Sequence, residues 1–286
     1  MLDTNALRAH QFDDEIQIYA ARDTMLYALA LGFGDPATDI QQLKFTYEAC
    51  LLAIPTMAVT LGAVKPWYKN PDFGIDWKRM LHGEERLELF QPIPVAAKVA
   101  GRRRIGNIID RGEKGAVVFL HRDITDCASG QLIARTTSTM VLRGDGGFGG
   151  PTGPVPKPHM LPDRAPDHVI ERRTMPQNAL LYRLCGDMNP LHADPEIASG
   201  AGFKAPILHG LCTFGLAGRA ILEMACDHDP ARLAEIGVRF TAPVYPGETL
   251  RTSIWFDGNE ISFRVLVTDR DVVAIDNGRA LLCSAF

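Results

Sequence analysis

The residues best suited to chemistry are an aspartate and a histidine five positions apart, Asp187 and His192. Residues at that spacing point about 140° apart on a continuous helix. Here Asn189 and Pro190 lie between them and favour a turn, which allows both side chains to converge on one small molecule. A carboxylate beside an imidazole is a competent general acid–base pair near neutral pH. The same residues also fit a purely structural interpretation, in which they cap turns and hydrogen-bond within the fold.

A second candidate is Gly210, which stands where a long apolar segment begins. If that segment is a helix, its first free N–H groups and its dipole favour an anion, and glycine lets a ligand approach the backbone closely. We therefore predict that Gly210 is an oxyanion donor. Close packing of the helix against the sheet is the alternative role for a glycine here, and we expect Gly215 and Gly218 to have that role. His209 either contacts the ligand or lies at the edge of the core.

The elements that must position these residues occur twice in the chain. Each half contains a nearly all-apolar segment, residues 47–61 and 206–226, and a helix that is apolar on every side must be buried. Each half also contains alternating strand candidates around short turns, at 116–126 and 131–142, and at 249–256 and 261–268. Such turns favour antiparallel hairpins. The pattern predicts an α+β protein with two repeats, each an antiparallel sheet wrapped around a central helix, which is a double hot-dog architecture.

A stretch rich in glycine and proline separates the two halves, and neither helices nor strand ladders tolerate that composition. It predicts an N-terminal repeat at 1–147, a linker at 148–168 and a C-terminal repeat at 169–286. The chain has 286 residues, which agrees with two domains of ordinary size.

Composition excludes several classes of protein. Lys and Arg number 30 against 34 Asp and Glu, a net charge of -4, so nucleic acid is not expected as a partner. No apolar run is long enough to span a bilayer, and no secretory signal is visible, so we expect a cytoplasmic protein without a membrane partner. The six cysteines form no C-x-x-C pair. His192 and Asp194 supply two ligands at most, so no metal site is predicted.

The C-terminal half resembles the R-specific enoyl-CoA hydratases, the hydratase 2 branch of the MaoC-like dehydratases. The family signature is a tyrosine, a small residue such as serine, and then Gly-Asp-x-Asn-Pro-Leu-His. This chain supplies Tyr182, Cys185, Gly186, Asp187, Asn189, Pro190, Leu191 and His192. Segments 206–215 and 240–250 are also similar to the family. In the N-terminal half Pro55-Thr56 and Leu81-His82-Gly83-Glu84 resemble the degenerate first hot dog of two-repeat members.

The resemblance implies that Asp187 and His192 hold the catalytic water and that Asn189 helps to fix the site. It implies that the Gly210 N–H receives the thioester oxygen, with His209 on the substrate-binding side. The substrate would be an acyl-CoA thioester of fatty acid β-oxidation. Coenzyme A would enter as part of that substrate, and no other cofactor would be needed. The resemblance also implies a homodimer.

The same resemblance makes the first repeat non-catalytic and able to accommodate the acyl chain. Gly34-Asp35 follows a short helix candidate in the first half as Gly186-Asp187 does in the second. With the halves aligned in this way, the position five residues beyond Asp35 is Ile40, so the first repeat lacks an acid–imidazole pair. Two other functions remain open on the residues alone: a hot-dog acyl-CoA thioesterase, and a non-catalytic acyl-thioester-binding subunit of a heteromeric hydratase. Cys185, which replaces the usual serine, also leaves open a thiol-dependent hydrolase that uses His192.

Overall fold

The computed structural model describes residues 2–63 and 66–283, so the outermost bounds of the predicted repeats, residues 1 and 284–286, lie outside it. Six α-helices are present among these residues: α1 (Thr4–Ala9), α2 (Ala21–Ala30), α3 (Ile40–Thr46), α4 (Asn178–Tyr182), α5 (Pro195–Gly200) and α6 (Gly210–Met224). The ten strands are β1 (Glu15–Tyr19), β2 (Met80–Leu89), β3 (Ala97–Asp110), β4 (Ala116–Asp126), β5 (Leu132–Leu142), β6 (His168–Arg173), β7 (Leu233–Phe240), β8 (Thr249–Asp257), β9 (Glu260–Val267) and β10 (Val272–Leu282).

All ten strands form one antiparallel sheet in the order β1-β3-β4-β5-β2-β7-β10-β9-β8-β6. The first five positions belong to the N-terminal half, and the last five repeat the same order in reverse from the C-terminal half. The halves meet where residues 84–88 of β2 pair with 235–239 of β7, and Arg239 donates a 2.8 Å hydrogen bond to Glu84 across this seam. The prediction of a two-repeat, double hot-dog α+β fold is confirmed.

The predicted hairpins match the observed strands to within one residue at each end. β4 pairs with β5, and β8 pairs with β9, each across a short turn. Alternation of apolar and polar residues identifies such strands because one face of each packs on the core and the other does not. β4 is an exception at its start, where residues 116–120 are buried on both faces.

The central helix of the C-terminal repeat is α6, and it is buried on most sides, as the apolar run at 206–226 predicts. It contacts β7, β8 and β10 of its own repeat. Among the residues described, no helix has both the length and the apolar character needed to cross a membrane.

The matching prediction in the N-terminal half is wrong, because residues 47–61 do not form an α-helix. They contain only two 3₁₀ segments, Glu48–Cys50 and Pro55–Thr60. Pro55 forces Ile54 into an extended conformation, and Gly62 ends the segment with a φ of +60°. Pro55–Thr60 is almost wholly buried all the same. Residues 47–50, in contrast, are exposed, so the prediction of complete burial is also wrong for the start of the run. An apolar run does not by itself determine whether an α-helix forms.

Two glycines of α6 bring the repeats together. A Cβ on Gly215 would lie 2.7 Å from Leu31 Cδ2, and one on Gly218 would lie 2.5 Å from Thr56 Cγ2. Both distances are shorter than real Cβ contacts. These glycines do have a packing role, but their partners are Leu31, just after α2, and Thr56 in the Pro55–Thr60 segment of the other repeat, and not the sheet as predicted.

Gly218→Ala should lower the free energy of unfolding by about 1–2 kcal/mol. Overpacking against the β-branched Thr56 outweighs the better helix propensity of alanine. Gly200→Ala is the matched control, because nothing lies within 4 Å of the Cβ it would add in α5. Denaturant unfolding of both variants measures the difference. Equal stability of the two would contradict a packing role for Gly218.

Between β5 and β6 the chain contains no helix or strand. It crosses the face of the sheet opposite α6: Val155 packs on Ile109, Val117 and Phe119. Farther along, a side-chain hydrogen bond joins it to the C-terminal repeat, since His159 Nε2 lies 2.7 Å from Ser262 Oγ.

Candidate active site

A compact turn carries the two residues that the sequence selects. The 3₁₀ segment after α4 ends at Gly186, whose φ of +129° favours glycine. Asp187 Oδ1 then accepts the N–H of Asn189 at 3.1 Å, and Asn189 Oδ1 accepts the N–H of Leu191 at 3.1 Å. These bonds begin a second 3₁₀ turn, Pro190–His192. The Asn-Pro turn thus reverses the chain between the aspartate and the histidine, as predicted.

The turn brings Asp187 and His192 together, and it adds His209 to them. One side-chain N or O atom from each of the three residues lies within 4.8 Å of the other two. Asp187 is exposed, whereas His192 and His209 are 8% and 1% exposed. The two imidazole rings are stacked, with centroids 3.7 Å apart and planes 26° from parallel. A solvent-facing carboxylate therefore stands beside a buried pair of imidazoles.

The hydrogen bonding of His192 fixes which nitrogen can accept a proton. Its Nδ1–H donates to the carbonyl oxygen of Ile207 at 2.8 Å. Since a carbonyl can only accept, the neutral ring carries its proton on Nδ1 and leaves the Nε2 lone pair free. Burial lowers the pKa of His192 below its ordinary 6.5, although the Ile207 bond and the charge of Asp187 oppose this. At neutral pH His192 is therefore an uncharged base.

Gly210 is the first residue of α6, and it is exposed. No described residue accepts a hydrogen bond from its N–H. A Cβ at this position would lie 3.5 Å from the Phe240 ring, an ordinary van der Waals contact. Close packing within the chain therefore does not require this glycine, in contrast to Gly215 and Gly218. Its N–H is open to a ligand at the positive end of a fifteen-residue helix.

The remaining predicted site residues, Asn189 and His209, hold the turn that carries Asp187 by different hydrogen bonds. Asn189 is exposed and holds the turn through its side-chain oxygen. His209 is buried, and its Nε2–H donates to the main-chain oxygen of Asp187 at 3.1 Å. Its ring contacts His192 and, at a centroid distance of 5.0 Å, Tyr182.

Comparison with known proteins agrees with this geometry. Residues 158–277 match the family described as MaoC like domain, and residues 18–144 match the MFE-2 hydratase 2 N-terminal domain. The chain is 37% identical to the peroxisomal enoyl-CoA hydratase 2 of Arabidopsis thaliana, over 94% of this chain and 92% of that protein. It belongs to the enoyl-CoA hydratase 2 family.

Two further comparisons support the assignment to the hydratase 2 family. The chain is 43% identical to the 3-hydroxyacyl-thioester dehydratase Y of Mycobacterium tuberculosis, over 82% of this chain and 81% of that protein. The crystal structure of a MaoC-like dehydratase from Phytophthora capsici superposes with a TM-score of 0.87 at 32% identity, and the alignment covers all of both chains. The resemblance seen in the sequence motifs is confirmed.

Sequence reasoning missed the contribution of the N-terminal repeat to this hydratase 2 site. Thr60 O lies 3.8 Å from where a Cβ on Gly186 would be. Burial and, to a smaller extent, the charge of Asp187 raise the pKa of Tyr68. Thr60 belongs to the 3₁₀ segment Pro55–Thr60 and Tyr68 to another, Trp67–Lys69. Both are more than a hundred residues from the turn in sequence, and no local motif marks either of them.

The thiol beside the site is not activated. Burial raises the pKa of Cys185 to about 12, so the sulfur remains protonated at neutral pH. A thiolate, and not a thiol, is the nucleophile in cysteine hydrolases. The structure therefore gives no support to a thiol-dependent hydrolase at this position.

Asp187, His192 and His209 are also the residues that could offer ligands to a metal ion. An ion bound by an imidazole lies close to the ring plane, about 2 Å from the nitrogen. The two rings are stacked with their planes 26° apart, so an ion placed in the plane of one ring, close to its nitrogen, lies off the plane of the other. Coordination by both histidines would require one ring to rotate, so the observed geometry suits proton transfer better than metal binding.

Proposed function

We propose that this chain catalyses the R-specific hydration of trans-2-enoyl-CoA to (3R)-3-hydroxyacyl-CoA, and the reverse dehydration, as a hydro-lyase. The observation that carries the proposal is the convergence of Asp187 and the free Nε2 of neutral His192 beside the open N–H of Gly210. The names of the relatives, a hydratase 2 and a 3-hydroxyacyl-thioester dehydratase, support the two directions of this reaction.

The reaction adds the elements of water across a double bond, and the site supplies what each step needs. Water bound between Asp187 and His192 gives up a proton as its oxygen attacks C3. The acid–base pair then delivers a proton to C2, and the pair returns to its starting state. Nε2 of His192 is the atom ready to accept a proton. Asp187 and His192 act as one coupled pair, so either residue can be written as the first to take the proton from water.

Between these proton transfers, negative charge develops on the thioester oxygen. The N–H of Gly210 has no partner among the described residues and lies at the start of α6, so it can donate to that oxygen. One such donor typically contributes about 10²–10³ in rate. With the oxygen held there and the water held by Asp187 and His192, water reaches one face of the planar enoyl group, and a single enantiomer forms.

The test of this function is an assay of the purified chain with trans-2-enoyl-CoA esters of graded length. We expect conversion to 3-hydroxyacyl-CoA with no free coenzyme A thiol. Release of the thiol would instead indicate a thioesterase. No reaction from a folded chain would indicate a non-catalytic subunit that requires a partner enzyme.

We also propose that the N-terminal repeat is non-catalytic and accommodates the acyl chain. Ile40, five residues beyond Asp35, is 73% exposed and cannot carry a proton. In this repeat Thr60 O lies 3.8 Å from where a Cβ on Gly186 would be, and burial together with the charge of Asp187 raises the pKa of Tyr68. The short Pro55–Thr60 segment takes the place of a full central helix. These features support a substrate path that continues from Asp187 into the first repeat.

We also propose that the protein is a cytoplasmic homodimer. It needs no cofactor, because coenzyme A enters as part of the substrate, an acyl-CoA thioester of fatty acid β-oxidation. The Arabidopsis thaliana relative is named as peroxisomal, so location must be measured by imaging the tagged protein in its own cell. The mass in solution tests the dimer, and dialysis against a chelator before assay tests the absence of a metal requirement.

The pH dependence of kcat follows from His192. Because burial lowers its pKa below 6.5, the ring is lost as a base only when the pH falls through that lowered value. We expect kcat to fall on the acid side with a midpoint below 6.5. A midpoint above 6.5 that disappears in a His192 variant would contradict this prediction.

A further inference from the structure

His209 contacts both members of the acid–base pair and is adjacent in sequence to the oxyanion donor. It is the residue before α6, so the helix fixes its backbone. Its Nε2–H donates to the main-chain oxygen of Asp187, and its ring stacks on that of His192. No other described residue makes a hydrogen bond to Asp187 from outside its own turn.

We propose that His209 is a positioning residue, which holds the Asp187 main chain and the His192 ring in register with the Gly210 N–H. This inference rests on the proposed hydratase function. The turn that carries Asp187 is exposed, and a carboxylate on an exposed turn needs an anchor if it is to meet a buried base at a fixed distance. The hydrogen bond from His209 provides that anchor, and the stacked ring limits rotation of His192.

The surroundings of His209 keep it uncharged while it does this. Burial and, next, the neighbouring His192 lower the pKa of His209 to about 4, against the opposing effects of Asp187, while Arg183 lowers it further. A neutral ring with its proton on Nε2 donates to Asp187 without adding a positive charge beside His192. It leaves Nδ1 as a buried acceptor with no hydrogen-bond partner in the part of the chain that the structure describes. A lysine or arginine here would donate equally well but would repel the proton that His192 must accept.

Two amide variants distinguish the hydrogen bond from His209 to Asp187 from simple occupancy of the volume by a side chain. The amide nitrogen of Gln can reach the position of imidazole Nε2, whereas that of Asn stops near Nδ1 and cannot reach the Asp187 oxygen. We expect His209→Asn to lower kcat by about 10- to 100-fold with KM nearly unchanged, as for a misplacement of reacting groups by about 1 Å. We expect His209→Gln to recover most of that loss. His159→Asn, in the linker, is the matched control and should retain wild-type kcat.

The deciding measurement adds His209→Asn to Asp187→Asn. If His209 acts through the acid–base pair, the second substitution lowers kcat by less than about twofold once Asp187 is already neutralised. Full multiplication of the two losses, or a His209→Asn enzyme as active as the wild type, would overturn the proposal. Should His209→Asn melt below the assay temperature, the same cycle is measured at a lower temperature at which all four enzymes are folded, and multiplication there is equally contrary. A fully active Asp187→Asn would refute the role of Asp187 in the acid–base pair, whereas a folded wild-type chain that hydrates no enoyl-CoA ester would refute the proposed function itself.

Discussion

Asp187→Asn should lower kcat for enoyl-CoA hydration by about 10²–10⁴-fold, the usual value of one general acid–base group. The side chain of Asn has the same shape, and its oxygen can still accept the N–H of Asn189, so the turn is retained. What is lost is the charge and the ability to carry a proton. The change therefore separates chemistry from the turn-capping role that the sequence leaves open for this residue.

Asp194→Asn is the control for that variant. Asp194 is also an exposed aspartate that accepts backbone N–H groups, those of Glu196 and Ile197 at the start of α5. Asn caps helices about as well as Asp, so stability and kcat should both remain near wild type. If Asp187→Asn is folded and as active as Asp194→Asn, Asp187 has only a structural role.

His192→Asn should have a comparable effect, about 10²–10⁴-fold on kcat, for a different reason. The amide nitrogen of Asn can take the place of imidazole Nδ1 and keep the bond to Ile207, while the basic Nε2 is removed. The variant thus keeps the contact that anchors His192 and deletes only the base. The acid limb of the kcat profile should also disappear.

His168→Asn controls for the same chemical change at an exposed histidine, on β6 at the edge of the sheet. It should leave kcat and its pH profile unchanged. Thermal melting of both variants shows whether the fold is intact. A folded His192→Asn enzyme with near-normal turnover would return His192 to its structural interpretation and place the base elsewhere.

Sequence patterns predicted the parts of this fold that depend on local periodicity. The β4–β5 and β8–β9 hairpins follow from alternation, and α6 follows from its apolar run. The convergence of Asp187 and His192 follows from the Asn-Pro turn between them. In each case the structure is determined by residues that are close together in the sequence, so a short sequence pattern is enough to predict it.

The failures concern contacts between distant parts of the chain. Only residues 53–61 of the apolar run 47–61 are buried or nearly so, and Pro55 and Gly62 prevent an α-helix there. The influence of the Asp187 charge on Tyr68 depends on how the two repeats dock. The contact of His209 with Asp187 depends on the path of more than twenty residues between them. Spacing within one segment carries no information about such contacts.

The configuration of the product tests the central claim most directly. Purified protein is incubated with a trans-2-enoyl-CoA ester, and the 3-hydroxyacyl-CoA that forms is resolved by chiral chromatography against both standards. Water delivered to one face by Asp187 and His192, with the thioester oxygen held by Gly210, predicts the (3R) isomer alone. The (3S) isomer, a racemic mixture, or free acid with released coenzyme A would contradict it.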